Sequence, residues 1–98
     1  MPAYFVAVRE AVNDPEQMKI YGEKAEKSAA VHQPVPLALY GRLRHTDGGA
    51  VEGAVILEFP TFEAAEAWYD SPEYQEAVAH RFRGATYRTF IIQGVTGE

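Results

Sequence analysis

Apolar residues recur along this chain with two different periods, which divides it into strand-like and helix-like stretches. Four stretches rich in β-branched and aromatic residues predict β-strands at residues 3–10, 37–44, 51–59 and 86–93. Between the first two, apolar residues three or four positions apart predict an amphipathic helix of about five turns, from Pro15 to just before Pro34. Between the last two, a similar stripe predicts two helical segments, one after Thr61 and one after Ser71. The predicted order is therefore β-α-β-β-α-β.

Capping and breaking residues mark the ends of these elements. Asp14 precedes Pro15, which puts a side-chain acceptor at the cap and a proline at the first helical position. Asp47-Gly48-Gly49 predicts the turn between the second and third strands. Gly84 predicts the end of the last helix, and residues 94–98 form a predicted tail.

This order predicts a ferredoxin-like α+β fold, with residues 1–98 as one domain. Right-handed crossovers give an antiparallel sheet with strand order 4-1-3-2 and both helical segments on one face. Pairing the second and third strands about Gly48 places Leu37 opposite Phe59 and Leu39 opposite Leu57. We assign that apolar face to the helices.

The other face of the predicted sheet is too apolar to be covered by water alone. A solvated face would be mostly polar, whereas an apolar centre with a charged rim is typical of a protein–protein interface. We therefore predict a dimeric α/β barrel, a homodimer that packs sheet against sheet; the alternative is a monomer with an unusually apolar face. Strand four is apolar on both sides, so the pattern leaves its facing open. The predicted interface residues are Phe5, Ala7, Tyr40, Arg42, Ile56 and Glu58.

Composition narrows the classes of function. The net charge is -5 and the nine basic residues are scattered, which argues against nucleic-acid binding. Cysteine is absent, which excludes disulfides, thiol catalysis and thiolate metal sites. No apolar run approaches the roughly 20 residues that span a bilayer, and the N-terminus has no signal-peptide pattern. We expect a cytoplasmic protein with no membrane partner, no metal and no cofactor.

Arg81 is the most informative charged residue, because the helical period places it on the inward stripe between Val78 and Phe82. A buried guanidinium needs a carboxylate, carbonyls or an anionic ligand. It is either an anion clamp for a ligand or part of a structural ion pair or helix-end cap. Both interpretations stay open.

Aromatic residues cluster around the helix break, where Trp68, Tyr69 and Tyr74 can wall a pocket for a flat or apolar ligand. Their spacing also fits core packing. His32, at the end of the first helix, and Tyr69 are the candidate catalytic residues, because they could carry protons. No two histidines share metal-ligand spacing on one element.

Three hypotheses follow for the function. The first is a dimer that binds a small anionic or aromatic molecule between helices and sheet. The second is a cofactor-free enzyme in the same cavity, of isomerase or monooxygenase type. The third is a structural or regulatory dimer without a pocket. A cavity of about 300 Å³ near Arg81 would favour the first two.

Several motifs together resemble the domain-of-unknown-function 1330 family. They are Glu58-Phe59-Pro60, Ala65, Trp68-Tyr69, Ser71-Pro72-Glu73-Tyr74-Gln75, Arg81, Asp14-Pro15 and Tyr21. The resemblance implies a dimeric α/β barrel of two ferredoxin-like subunits. It adds Tyr21 to the candidate ligand-binding residues. It implies no activity, since the superfamily contains cofactor-free monooxygenases, small-ring isomerases and haem proteins.

Overall fold

The computed structural model describes residues 1–95 and contains four strands and three helices in that range. The strands form one antiparallel sheet in the order β2-β3-β1-β4, which confirms the predicted ferredoxin-like α+β fold. Residues 96–98 of the predicted tail lie outside the described residues. The elements are β1 (Ala3–Val12), α1 (Pro15–His32), β2 (Val35–Leu39), β3 (Gly53–Phe59), α2 (Phe62–Tyr69), α3 (Pro72–Gly84) and β4 (Ala85–Gln93).

The helices begin at the predicted caps. The Asp14 carboxylate accepts hydrogen bonds from the first backbone N–H groups of α1, and the Thr61 hydroxyl does the same for α2. Ser71 caps α3 by accepting from the backbone N–H of Tyr74 at 3.2 Å. At its other end α1 stops at Gln33, which adopts a left-handed conformation and donates its N–H to a carbonyl in the last turn. No helix within residues 1–95 is long and apolar enough to cross a membrane.

The helices cover the face of the sheet to which Phe5 and Ala7 belong, so the prediction that these two residues lie at the dimer interface is wrong. Phe5 and Ala7 are only 2% and 3% exposed, and the Phe5 ring lies 5.0 Å from that of Trp68. In β1 the alternate residues Tyr4, Val6 and Val8 point the other way. Both sets are apolar, so alternation in the sequence could not decide between them.

The predicted hairpin of strands two and three is also wrong in length and register. β2 ends at Leu39, and residues 40–52 have no regular structure. Leu39 pairs with Val55 rather than Leu57, with an irregularity in the ladder between Pro36 and Ala38. Proline has no N–H to donate to a ladder, which explains the interruption.

Two further predicted interface residues lie elsewhere because β2 is short. Tyr40 follows the strand with a φ of 53° and turns toward the helix-covered side, and Arg42 lies in the irregular segment. Ile56 and Glu58 do lie on the open face, opposite Val6 and Tyr4 of β1. The open face is thus built from Tyr4, Val6, Val8, Ala54, Ile56, Glu58, Arg88, Phe90 and Ile92.

Helix α1 packs mainly against α3 instead of resting on the sheet. The aromatic side chains of Trp68 and Tyr74, which come from α2 and α3, occupy the layer between helices and sheet. This arrangement holds α1 away from the strands and leaves space beneath it.

Candidate functional site

A cavity of about 350 Å³ lies between α1 and the helix-covered face of the sheet. Its roof is α1, where three small residues, Gly22, Ala25 and Ala29, leave room that larger side chains would fill. Phe5 and Val55 form part of its floor. A space of this size, mostly apolar with a few polar groups, is the usual form of a small-molecule site.

Trp68 and Tyr74 form the inner wall of the cavity. Their rings lie 4.1 Å apart between centroids, and both contact Phe5. The indole N–H of Trp68 donates to the Ser28 hydroxyl at 3.3 Å, and Ser28 in turn donates to the backbone carbonyl of Ala25. The wall is therefore held by hydrogen bonds to α1 as well as by ring packing.

Four tyrosines contribute to the cavity lining, and their hydroxyls form two hydrogen-bonded pairs. Tyr21 of α1 and Tyr74 of α3 share a hydrogen bond of 2.8 Å. Tyr40 and Tyr87 share one of 2.6 Å. We call these the buried pair and the rim pair, because Tyr74 is fully buried whereas Tyr40 is 43% exposed.

Arg81 lies behind the phenols and is only 3% exposed. Its Nη1 donates to the Tyr74 hydroxyl at 2.9 Å, and its guanidinium carbon lies 5.6 Å and 5.0 Å from the ring centroids of Tyr21 and Tyr87. Within residues 1–95, no carboxylate oxygen lies within 4.0 Å of it. The charge is held by aromatic faces and one phenol rather than by an ion pair.

The environment sets the protonation of this cluster. Burial raises the pKa of Tyr21 and of Tyr74 above the usual tyrosine value. Burial, together with the hydrogen bond to Tyr87, also raises the pKa of Tyr40. Although burial disfavours its charge, the neighbouring Tyr74 and Tyr21 raise the pKa of Arg81. At neutral pH the phenols of Tyr21, Tyr40 and Tyr74 are therefore protonated, and the Arg81 guanidinium is charged.

Tyr40 reaches Tyr87 across the sheet because Gly53 leaves space for its ring. A Cβ atom at Gly53 would lie 2.6 Å from Tyr40 Cδ1, which is closer than packed atoms allow. The Arg9 guanidinium carbon lies 4.7 Å from the centre of the Tyr40 ring. The rim pair thus depends on a glycine in β3 and on a left-handed backbone at Tyr40.

Comparison with protein-family models gives one match, to the Domain of unknown function (DUF1330), over residues 2–95. The chain belongs to the DUF1330 family. Comparison with curated proteins gives no match.

The solved structures that resemble this DUF1330 protein share its fold at low sequence identity. A protein of unknown function from Rhodopseudomonas palustris is 18% identical, with a TM-score of 0.70 over 97% of this chain and 83% of that one. A dimeric ferredoxin-like protein of unknown function from Thermobifida fusca is 17% identical, with a TM-score of 0.65 over 96% and 92%. A mutant of SnoaB, a cofactor-independent oxygenase from Streptomyces nogalater, is 13% identical, with a TM-score of 0.59 over 99% and 97%.

Three of the predicted ligand-binding residues, Tyr21, Trp68 and Tyr74, line the cavity of this DUF1330 protein, and Arg81 bonds to one of them. The fourth aromatic candidate, Tyr69, lines a second cavity of about 320 Å³ between α2 and β4, on the other side of Phe5.

His32 does not line either cavity. Its Nε2 lies 3.7 Å from Glu73 Oε2, where the end of α1 meets the start of α3. His80 instead bonds to Gln17 at 2.7 Å.

Sequence reasoning missed Tyr40 and Tyr87 as site residues. Two signals pointed to them: a glycine inside a predicted strand often marks close approach by another group, and Tyr87 shares its face of β4 with Ile91. Neither signal indicated that the two hydroxyls would meet.

Proposed function

We propose that this DUF1330 protein works as a homodimer that binds a small anionic or aromatic molecule in the cavity beneath α1. The observation that carries the proposal is an apolar cavity of about 350 Å³ lined by four tyrosines, one of which accepts a hydrogen bond from the buried Arg81, and no carboxylate within residues 1–95 lies within 4.0 Å of that guanidinium. The volume exceeds the size that the ligand hypotheses require. A dimer without a pocket, the third hypothesis, gives no reason for this space.

The open face of the sheet supports the homodimer. Val6 lies between Ile56 and Phe90 at its centre, and Phe90 and Ile92 are each 51% exposed in the single chain. Arg88 and Glu10 form an ion pair of 2.8 Å toward one end, which leaves an apolar centre and a charged rim. Ferredoxin-like neighbours from Thermobifida fusca and Bacteroides fragilis are described as dimeric. The proposed occupant of this face is therefore a second copy of the chain.

Trp68 offers a direct test of cavity binding, because it is the only tryptophan and lines the cavity. Titration with a panel of small aromatic and carboxylate compounds should change its emission saturably. Ala29→Phe, which fills the cavity from α1, should abolish that change. Ala30→Phe is the matched control, since Ala30 is exposed on the same helix. A panel with no saturable response, or one that Ala29→Phe leaves intact, would contradict the proposal.

Light scattering tests the dimer separately. Val6→Lys places a charge at the centre of the open face and should give single chains of 10.9 kDa, whereas Ala30→Lys should leave the dimer intact. A wild-type protein that is monomeric at micromolar concentration would overturn the dimer without affecting the cavity.

A cofactor-free enzyme is the second candidate, because the neighbours include a cofactor-independent oxygenase and putative antibiotic biosynthesis monooxygenases. The cavity phenols could stabilise negative charge that develops on a substrate oxygen. Their raised pKa values suit them to hydrogen-bond donation rather than to proton abstraction. Turnover lost in Tyr74→Phe at unchanged ligand affinity would favour this candidate.

The candidate catalytic residues can be tested in the same assay. His32→Ala and Tyr69→Phe alter groups that do not line the main cavity. If the second candidate is right and His32 carries protons, His32→Ala should remove turnover while leaving ligand affinity unchanged. A catalytic rate that survives both substitutions would exclude these two residues.

A further inference from the structure

The phenols at the cavity can be counted as hydrogen-bond donors. A phenol has one hydrogen to donate and an oxygen that accepts. In each pair one hydrogen lies between the two oxygens, and the other remains. Arg81 donates to Tyr74, which uses an acceptor position and no hydrogen. Within residues 1–95, neither pair donates to a carbonyl or a carboxylate, so each pair keeps one O–H hydrogen free.

A single positive charge without a neighbouring negative partner lies near these donors. Arg81 is buried without a carboxylate, whereas Arg9, at the far side of Tyr40, lies 3.4 Å from Glu52 Oε1. A buried charge without a counter-charge is costly, and aromatic faces compensate only part of that cost. A ligand with one negative charge would supply the missing partner, whereas a dianion would bring a second charge with no cation to match.

The opposite part of the cavity indicates how the rest of the ligand lies. Ala25 and Ala29 line it, about 6 and 12 Å along α1 from Tyr21, and Pro34 lines it just beyond the end of that helix. The one carboxylate in the lining is Glu26, which lies on the exposed side of α1. An apolar body fits this part, and the acidic group of a ligand is directed away from Glu26 toward Arg81.

We infer that the ligand is a monoanion: a carboxylate or enolate on an apolar, ring-sized body, with its acidic oxygens at the two free phenol hydrogens and near Arg81. This inference rests on the proposed function and specifies the chemistry of the ligand in the same cavity. The phenols and Arg81 bind the acidic oxygens of the ligand, and the cavity beneath Ala25 and Ala29 holds its apolar body. Any acid of this shape meets these requirements.

Three probes that share one body test the inference: 2-naphthoate, the neutral 2-naphthamide and the cationic 2-naphthylmethylamine. In calorimetric titrations at neutral pH, 2-naphthoate should bind about tenfold to a hundredfold more tightly than the amide, since hydrogen bonds to a charged group are the stronger ones. The ammonium compound should bind weakest. Equal affinity of acid and amide would overturn the inference and leave cavity binding intact.

The outcomes separate this inference from the proposed function. Absence of 2-naphthoate binding overturns the inference, whatever other compounds do. The proposed function fails only if the wider panel also leaves Trp68 emission unchanged.

A matched pair of variants tests the role of Arg81. Arg81→Met keeps the length of the side chain and removes its charge, and it should reduce the preference for acid over amide to about twofold or less. Arg83→Met removes an exposed charge two residues along α3 and should keep the wild-type preference. A preference that persists in folded Arg81→Met contradicts the inference. If that variant does not fold, the acid-to-amide ratio of the wild-type protein still decides it.

Discussion

The two tyrosine pairs of the cavity have the same chemistry but lie in very different structural surroundings. The buried pair joins α1 to α3, and its Tyr74 is fully enclosed by Trp68, Phe5 and Arg81. The rim pair joins β4 to Tyr40, a half-exposed residue in a left-handed conformation where β2 gives way to an irregular segment. One O–H···O bond is embedded in the core and the other lies at the edge of the cavity.

The comparison shows that the hydrogen bonds do not determine what each pair contributes. A neutral hydrogen bond contributes only about 1 kcal/mol in either place. The difference lies in the buried rings and in the backbone that carries them. We expect the buried pair to govern stability and to position Arg81. We expect the rim pair to contribute little to stability and to act at the cavity edge, where it shapes the opening and offers one phenol hydrogen to a ligand.

The largest expected difference is between two truncations. Tyr74→Ala should lower the free energy of unfolding by about 3–5 kcal/mol, because it removes a fully buried aromatic ring and leaves a cavity. Tyr40→Ala should cost about 1 kcal/mol, because that ring is half exposed. Urea unfolding at one fixed protein concentration measures both. Costs of similar size would show that the pairs are equally embedded.

Alkaline pH should destabilise the protein through both pairs, and more strongly through the buried one, because two of its phenols have raised pKa values against one in the rim pair. The pKa values of Tyr21 and Tyr74 are raised by burial, so these phenols stay neutral in the folded protein while the unfolded chain ionises near pH 10. Below pH 10 these phenols therefore leave the free energy of unfolding unchanged. As the pH rises from 10 toward their pKa values in the folded protein, the free energy of unfolding falls. The two phenols of the buried pair give a loss of up to about 3 kcal/mol per pH unit, to which Tyr40, whose pKa is also raised but which is half exposed, adds a smaller loss.

The control for this pH dependence is Tyr74→Phe, which removes one of the two buried phenols and should reduce the slope by about 1.4 kcal/mol per pH unit. Urea unfolding of both proteins at pH 9, 10 and 11 gives the comparison, because other ionising groups contribute equally to each. An unchanged slope would mean that Tyr74 ionises in the folded protein as easily as in the unfolded chain.

The fold could be predicted because its signals are local. Asp14, Thr61 and Ser71 each cap a helix that the period of apolar residues also indicates, so two independent signals agree. Which face of the sheet a strand residue occupies depends instead on contacts with distant parts of the chain. In β1, Phe5 and Val6 are equally suited to either face, and Phe5 is inside because it packs against aromatic rings of α2 and α3, among them Trp68 and Tyr74.

The residues of the candidate site that could be predicted are likewise those with a local signal in the sequence. Trp68 lies on the apolar stripe of α2, and Tyr74 and Arg81 lie on that of α3, so the helical period alone indicated that all three point inward. Tyr40 was not predicted as a site residue, because its position depends on where β2 ends and on the ladder irregularity after Pro36. Register and backbone conformation at a single residue are set by tertiary contacts that no short pattern encodes.

The smallest expected effect concerns the contact that shapes the rim pair. Gly53→Ala should cost about 1–2 kcal/mol in the wild-type background, because its Cβ would lie 2.6 Å from Tyr40 Cδ1 and must push the ring aside. In a Tyr40→Ala background the same substitution should cost nothing or stabilise slightly, since alanine suits a strand better than glycine does. A double-mutant cycle by urea unfolding measures the coupling of the two positions. An equal cost in both backgrounds would mean that Gly53 is required by something other than the Tyr40 ring, and the rim pair would then not depend on this contact.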